Sequence, residues 1–214
     1  ALPKDLRINI AGYSLHVVEG GAPVLALRVI VGTPRTPTPV FNTRLTEVVL
    51  APYWNVPTSI ARNEILPRLS RDPGYLARNH MKLLSNGRIR QDPGPTNSLG
   101  SIKFTITNRY GVGLHDTPSR HLFAESVCAF SHGCIRLEHP LELAGYVLRS
   151  DTTWTRERME ATILRWQETR IPAPEPLPLH VLYETVWADE QGTVHFRPDI
   201  YGHDARLERA LQTK

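Results

Sequence analysis

The sequence predicts a mainly β, α+β fold: a β-rich mixed sheet with a few helices and a small inserted lid. Apolar residues alternate with others through residues 6–32, the period-two pattern of strands with one buried face. The alternation returns at Ile102, Phe104 and Ile106 after a proline- and glycine-rich interval. The two longer helical patterns both follow Pro140, so strands and helices do not alternate as in a parallel βαβ fold.

Taken in order, Leu6, Ile8 and Ile10, then Tyr13, Leu15 and Val17, then Leu25, Leu27, Val29 and Val31 alternate around the Glu19-Gly20-Gly21 turn signal. That is an antiparallel hairpin start. Three prolines make residues 33–39 an extended loop, and a strand resumes over 46–50. Pro52, Tyr53, Trp54, Asn55 and Pro57 then form an aromatic loop.

Ser59 can cap a short helix to about Leu69, and Asp72-Pro73 is an N-cap plus first-turn proline for a second one to about His80. Asn86-Gly87 suits a tight hairpin turn between Leu83-Leu84 and Ile89. Residues 59–98 therefore read as an excursion from the sheet, a small lid inserted between catalytic-domain segments 1–58 and 99–214. A helix from Pro140 to about Arg149 presents Leu141, Ala144, Val147 and Leu148 on one face, and a second from about Thr155 to Thr169 buries Met159, Ile163 and Trp166. Residues 171–178 read as a proline linker. Strands over 179–187 and 193–197 flank the turn Asp189-Glu190-Gln191-Gly192.

The chain has 214 residues, enough for one domain with an inserted lobe and a real core. Its 25 Lys and Arg against 21 Asp and Glu give +4. They are spread without a run of like charges, which excludes a nucleic-acid arm. No stretch reaches the length of a membrane span, and residues 1–20 lack the pattern of a secretory signal. Two cysteines cannot build a disulfide framework or a four-cysteine zinc site. Any chemistry they carry is that of a thiol.

The informative segment is Ser131-His132-Gly133-Cys134-Ile135-Arg136-Leu137, with Leu114-His115-Asp116-Thr117-Pro118 upstream. A thiol attacks acyl groups as thiolate and needs a base or a positive environment. His132 is two residues from Cys134, and His115 can face it across a sheet. Gly133 frees the backbone, so that the Gly133 and Cys134 N–H groups can converge on a developing oxyanion. Arg136 offers a planar charged fork for a substrate carboxylate.

These residues resemble the signature of the L,D-transpeptidase (YkuD-type) catalytic domain. The wider pattern is similar to the YcbB-like branch of Gram-negative bacteria, through Pro39-Val40-Phe41, Pro52-Tyr53-Trp54-Asn55-Val56-Pro57-Thr58-Ser59-Ile60 and Gly94-Pro95-Thr96-Asn97-Ser98-Leu99-Gly100. In that branch an inserted capping subdomain covers the site. The resemblance implies Cys134 as nucleophile, His115 as general base and acid, and His132 on the oxyanion side. It also implies a main-chain carbonyl near Asp116 that orients His115, with Arg136, Tyr53 and Trp54 along the substrate groove.

The implied partners are peptidoglycan stem peptides, a donor tetrapeptide and an acceptor amine, and carbapenem inhibitors. No metal or cofactor is implied. The implied location is the periplasm, with the export signal outside this chain. Sibling readings of the same site are L,D-carboxypeptidase or endopeptidase action and protein attachment to the wall. A non-enzymatic one is a decayed peptidoglycan-binding module. Cys128 reads as a packed thiol; a Cys128–Cys134 disulfide remains open, and zinc held by Cys128, Cys134, His132 and His139 fits no common spacing.

Overall fold

The computed structural model describes residues 3–188 and 191–212. Strands β1 (Lys4–Asn9), β2 (Ser14–Glu19) and β3 (Ala22–Gly32) form where the sequence alternates, each antiparallel to the next. Leu6 pairs with Val17 and Ile8 with Leu15, and all four are fully buried, so alternation fixes which face turns inward. After the proline loop, β4 (Phe41–Leu50) begins five residues earlier than the sequence predicts.

Trp54–Asn55 is not loop but a short strand, β5, of a separate three-stranded sheet with β6 (Met81–Leu83) and β7 (Ile89–Gln91). Between β5 and β6 run α1 (Thr58–Ile60), a π-helical turn (Ala61–Ile65), α2 (Leu66–Leu69) and α3 (Tyr75–Arg78). Ser59 does not cap α1; it lies within it, because extended Pro57 is the N-cap, two residues earlier. Asp72-Pro73 does not open α3 either: its N-cap is Gly74, whose N–H donates to the Asp72 side chain at 3.2 Å one turn ahead of the helix. The Asn86-Gly87 turn forms, with Gly87 at φ 76° and the Asn86 side chain accepting from Arg88 N–H at 3.0 Å. Val56, Ile65, Met81 and Ile89 give this lobe its own apolar cluster.

The chain then adds β8 (Ile102–Ile106), β9 (Leu114–His115), β10 (Ala129–Ser131), β11 (Ile135–Leu137) and β12 (Thr169–Leu182) to the main sheet. The pairings run β3, β11, β9, β8, β4, β12, β1, β2 and return to β3, with β10 laid parallel along the end of β3. Eight strands thus close a ring around Phe104, Ile102, Leu114, Ile135 and Leu179, which are fully buried. Helix α4 (Pro140–Leu148) buries Leu143, Ala144, Val147 and Leu148 against it, with Leu141 half-buried.

Two expectations fail here for local reasons. Helix α5 (Arg156–Ile163) is capped by Thr155 but stops well short of Thr169, because Trp166 turns left-handed at φ 50° and redirects the chain into β12. Residues 171–178 are strand, not linker. Prolines at every second position remove donors from one edge only. β12 still pairs with β4 at Thr169–Pro172 and again from Leu177, with an irregularity between.

The closing hairpin is β13 (Val186–Ala188) with β14 (Val194–Phe196); Asp189 and Glu190 of its expected turn lie outside the described residues. Helix α6 (His203–Gln212) was not read from the sequence. The Asp199 carboxylate starts it by accepting N–H bonds from His203, Asp204 and Ala205.

Candidate active site

Parallel pairing of β9 with β11 sets Leu114 beside Ile135 and His115 beside Arg136. Leu114 and Ile135 are fully buried in the ring, so alternation turns His115 and Arg136 to the opposite face. Cys134 immediately precedes β11. Its Sγ lies 3.4 Å from the Gly113 N–H, while Ile135 N–H donates to the Gly113 carbonyl at 2.8 Å. A methyl group placed on Gly113 would lie 3.7 Å from His115 Cδ2 and 3.9 Å from Cys134 Sγ. Gly113 therefore lies beside both the imidazole edge and the sulfur. All of this opens on a cavity of about 210 Å³, lined by Cys134, His115, Arg136, His132, Trp54 and Glu64 among others.

The turn carrying the thiol is pinned from several sides. The Ser131 hydroxyl donates to the Cys134 carbonyl at 2.5 Å and accepts the Gly133 N–H at 3.0 Å. Gly133 has φ 105°, a conformation that a side chain would strain. Its carbonyl accepts from the Thr38 hydroxyl at 2.9 Å, and that hydroxyl also accepts the Gly32 N–H. The Tyr201 hydroxyl closes the set, accepting from Thr38 N–H and donating to the Gly32 carbonyl. The proline loop is thus the brace of the turn.

His115 Nδ1 is 2.5 Å from the Asp116 carbonyl. A carbonyl only accepts, so Nδ1 carries the proton and Nε2 is left with a free lone pair. The ring is 5% exposed. Burial pushes its pKa down to about 4; the Asp116 carbonyl opposes this, and the Arg136 and Lys103 charges add to it. The imidazole is neutral at neutral pH.

The Asp116 carboxylate faces the other way. It accepts from Ser101 N–H and hydroxyl at 2.8 and 2.7 Å and pairs with Arg120 at 3.2 Å. Gly100 leaves room for it, since a Cβ there would collide with the Asp116 carboxyl.

The sequence model of the L,D-transpeptidase catalytic domain, YkuD, matches residues 3–161. The chain belongs to this family. A Haemophilus influenzae protein named "Putative L,D-transpeptidase" is 32% identical over 227 aligned residues, covering 97% of the chain and 46% of that protein. The chain thus spans about half the length of this curated relative. Among solved structures, an L,D-transpeptidase from Mycobacterium smegmatis aligns at 15% identity and TM-score 0.46, over 85% of this chain and 59% of that one. A structure of LdtMt1 in complex with imipenem aligns at 14% identity and TM-score 0.40, over 85% and 60%.

Within the YkuD domain, the structure brings Cys134, His115, His132, Arg136 and Trp54 to one cavity. Three expected roles meet a different geometry. Tyr53 is not in the cavity lining: its ring lies 4.1 Å under the Arg90 guanidinium, and its N–H is held by Glu168. The Gly133 N–H is spent on Ser131 and is not free for an oxyanion. His132 points its Nε2 at Glu64 Oε1, 3.0 Å away in the lobe.

Asp116 acts on the site through its carbonyl, not as part of the lining. Both cysteines are free thiols; Cys128 is fully buried beside Ile30 and Phe123, its Sγ against the Glu125 carbonyl. Among the described residues no group of three or more His, Cys, Asp or Glu is placed to hold a metal ion. No sequence pattern marks Glu64, Thr38 or Gly113 as part of the site; Ser131 is marked by its place inside the motif.

Proposed function

We propose that this YkuD domain is a peptidoglycan L,D-transpeptidase that forms 3–3 cross-links between stem peptides through a Cys134 thioester. The observation that carries the reading is the Cys134 thiol sharing a cavity with a buried, neutral His115 whose Nδ1 is fixed on the Asp116 carbonyl.

In the first half, Cys134 Sγ attacks the carbonyl of the third residue of a tetrapeptide stem while His115 Nε2 takes the thiol proton. The same nitrogen returns the proton to the departing amine of D-alanine, and the Asp116 carbonyl stabilises the imidazolium between these steps. With the Gly133 amide occupied, the Cys134 N–H is the turn's remaining donor for the oxyanion. In the second half an amine of a neighbouring stem replaces the sulfur. Arg136 is half-buried with no ion-pair partner among the described residues, which suits a substrate carboxylate.

Residues 59–98 serve as the capping subdomain of a YcbB-like enzyme, reaching the cavity through Ile60, Glu64 and Ser98. A covered thioester is shielded from water. Carbapenems present a strained acyl group to the same sulfur. Peptidoglycan lies outside the inner membrane, so the enzyme works in the periplasm. No described helix is long and apolar enough to cross a membrane.

Incubation with purified disaccharide-tetrapeptides, followed by mass analysis of products and protein, tests this. Cross-linked dimers and released D-alanine are expected; tripeptide monomers without dimers would reassign the site to hydrolysis. Cys134→Ala is expected to abolish the covalent carbapenem adduct, and an adduct that persists moves the nucleophile elsewhere.

A further inference from the structure

The turn that carries Cys134 is held from behind by a segment that the YkuD match, residues 3–161, does not reach. Tyr201 lies in that segment and is 8% exposed, with every polar group engaged. Its N–H donates to the Tyr183 hydroxyl at 2.9 Å, and its carbonyl accepts from the Arg206 guanidinium at 2.7 Å. Its hydroxyl accepts from Thr38 N–H at 3.1 Å and donates to the Gly32 carbonyl at 2.7 Å. One oxygen therefore ties the proline loop to the end of β3, where Gly32 pairs with Ser131. A Cβ on Gly32 would collide with the Thr36 carbonyl, so the loop sits directly on the strand.

The grip on Tyr201 comes from the start of α6. Tyr183 stacks on it with ring centroids 5.5 Å apart, and His203, the first residue of α6, meets both rings edge-on. The Tyr183 hydroxyl donates in turn to Asp199 at 2.6 Å, the carboxylate that accepts the first N–H groups of the helix. At the other end, Thr38 Oγ1 holds the Gly133 carbonyl at 2.9 Å. That carbonyl and the Cys134 N–H belong to one planar trans peptide and point opposite ways. Fixing the oxygen fixes the direction of the N–H.

We propose that Tyr201 is a positioning residue for acyl transfer to Cys134: by clamping the proline loop on β3, it aims the Cys134 N–H at the oxyanion. The assignment rests on the reading of Cys134 as the acylated thiol. It adds a dependence on a segment beyond the YkuD match. A hydroxyl confined to packing changes stability alone. This one acts where Sγ adds to an acyl carbonyl and negative charge gathers on oxygen, and a donor swung off that oxygen loses its effect at that step. Alkylation of the same thiol builds no oxyanion and is blind to the direction of the donor.

The test uses the whole chain with a carbapenem and, separately, with iodoacetamide, both read by mass and located by peptide mapping. In acylation the S–C bond forms, the lactam C–N bond breaks with its electron pair going to nitrogen, and the thiol proton ends on that nitrogen. In alkylation sulfur displaces iodide and the thiol proton leaves to solvent. Tyr201→Phe keeps the ring and loses the hydroxyl. Its acylation rate constant at saturating carbapenem is expected to fall about tenfold, with the half-saturating concentration and the alkylation rate of Cys134 each within about twofold of the parent. Tyr183→Phe, which loosens Tyr201 without touching the loop, is expected to show the same split to a smaller extent. Thr38→Val lies on the same path, so its loss and that of Tyr201→Phe are expected not to multiply in the double variant. Acylation at the parent rate in either tyrosine variant, alkylation falling as far as acylation, or losses that multiply overturns the assignment. If the parent takes no carbapenem adduct while iodoacetamide labels Cys134, it is the acylation reading that fails.

Discussion

His115 is the residue whose environment most constrains the chemistry. Burial holds the imidazole neutral with a pKa down to about 4, against about 6.5 for an unfolded histidine. As pH falls, the unfolded chain takes up this proton first, so the folded state loses stability as pH drops from about 6.5 towards 4, and nothing further below that. The size is on the order of 3 kcal/mol. Urea unfolding at pH 7 and pH 4 is expected to show this loss in the parent protein, beyond whatever His115→Asn loses over the same range. Equal losses in both would place the depressed pKa elsewhere. The same neutrality predicts that acylation persists to about pH 5, because the base is still unprotonated there. A rate already halved near pH 6.5 would mean an exposed imidazole.

At the scale of elements, the turn that carries Cys134 depends on a loop far from it in sequence. Thr38 sits in the proline loop, yet its hydroxyl serves both the Gly133 carbonyl and the Gly32 N–H. Thr38→Val keeps the shape and removes both bonds, leaving two buried backbone groups without partners at about 1–3 kcal/mol each. Thermal unfolding is expected at lower temperature, and acylation by a carbapenem is expected to slow with little change in its half-saturating concentration, since the lesion lies behind Cys134, the proposed nucleophile. An unchanged rate would show that Ser131 alone holds the turn.

Why this brace was illegible follows from its chemistry. Ser131-His132-Gly133-Cys134 announces itself because a thiol, an imidazole and a glycine lie within three consecutive residues, with His115 in a second short motif upstream. Thr38 meets Gly133 only after β3 and β10 have paired. Strand alternation made β1, β2, β3 and β8 readable, and Asn86-Gly87 fixed its own turn. The strand through Pro172 and Pro178 was hidden because proline signals loop locally, while β4 supplies the pairing from far upstream, Glu47 opposite Pro172 and Arg44 opposite Pro178. Helix α6 was hidden because its cap is Asp199, held in place by the Tyr183 hydroxyl.

Over the whole molecule, the two apolar clusters are unequal. The ring buries the large cluster around Phe104, whereas the lobe relies on Val56, Ile65, Met81 and Ile89. Alternation marks each strand's buried face, but closure through β2 and β3 at one side and β9 and β11 at the other is a long-range property that no local pattern carries. A unit with so small a core opens at lower free energy than the ring it leans on. Ile89 is 2% exposed, and Ile89→Ala removes about 2–5 kcal/mol of packing. That is enough to populate an open lobe while the ring stays folded. Amide hydrogen exchange is expected to accelerate over 54–91 and to stay unchanged in β1, β4 and β12. The thiol is expected still to take a carbapenem adduct, since Cys134 and His115 belong to the ring. What changes is the fate of the acylated protein: with water admitted, tripeptide is expected to rise at the expense of dimer in the muropeptide assay. Exchange that accelerates uniformly across ring and lobe would instead make the two clusters one cooperative unit, and the product ratio would then stay that of the parent.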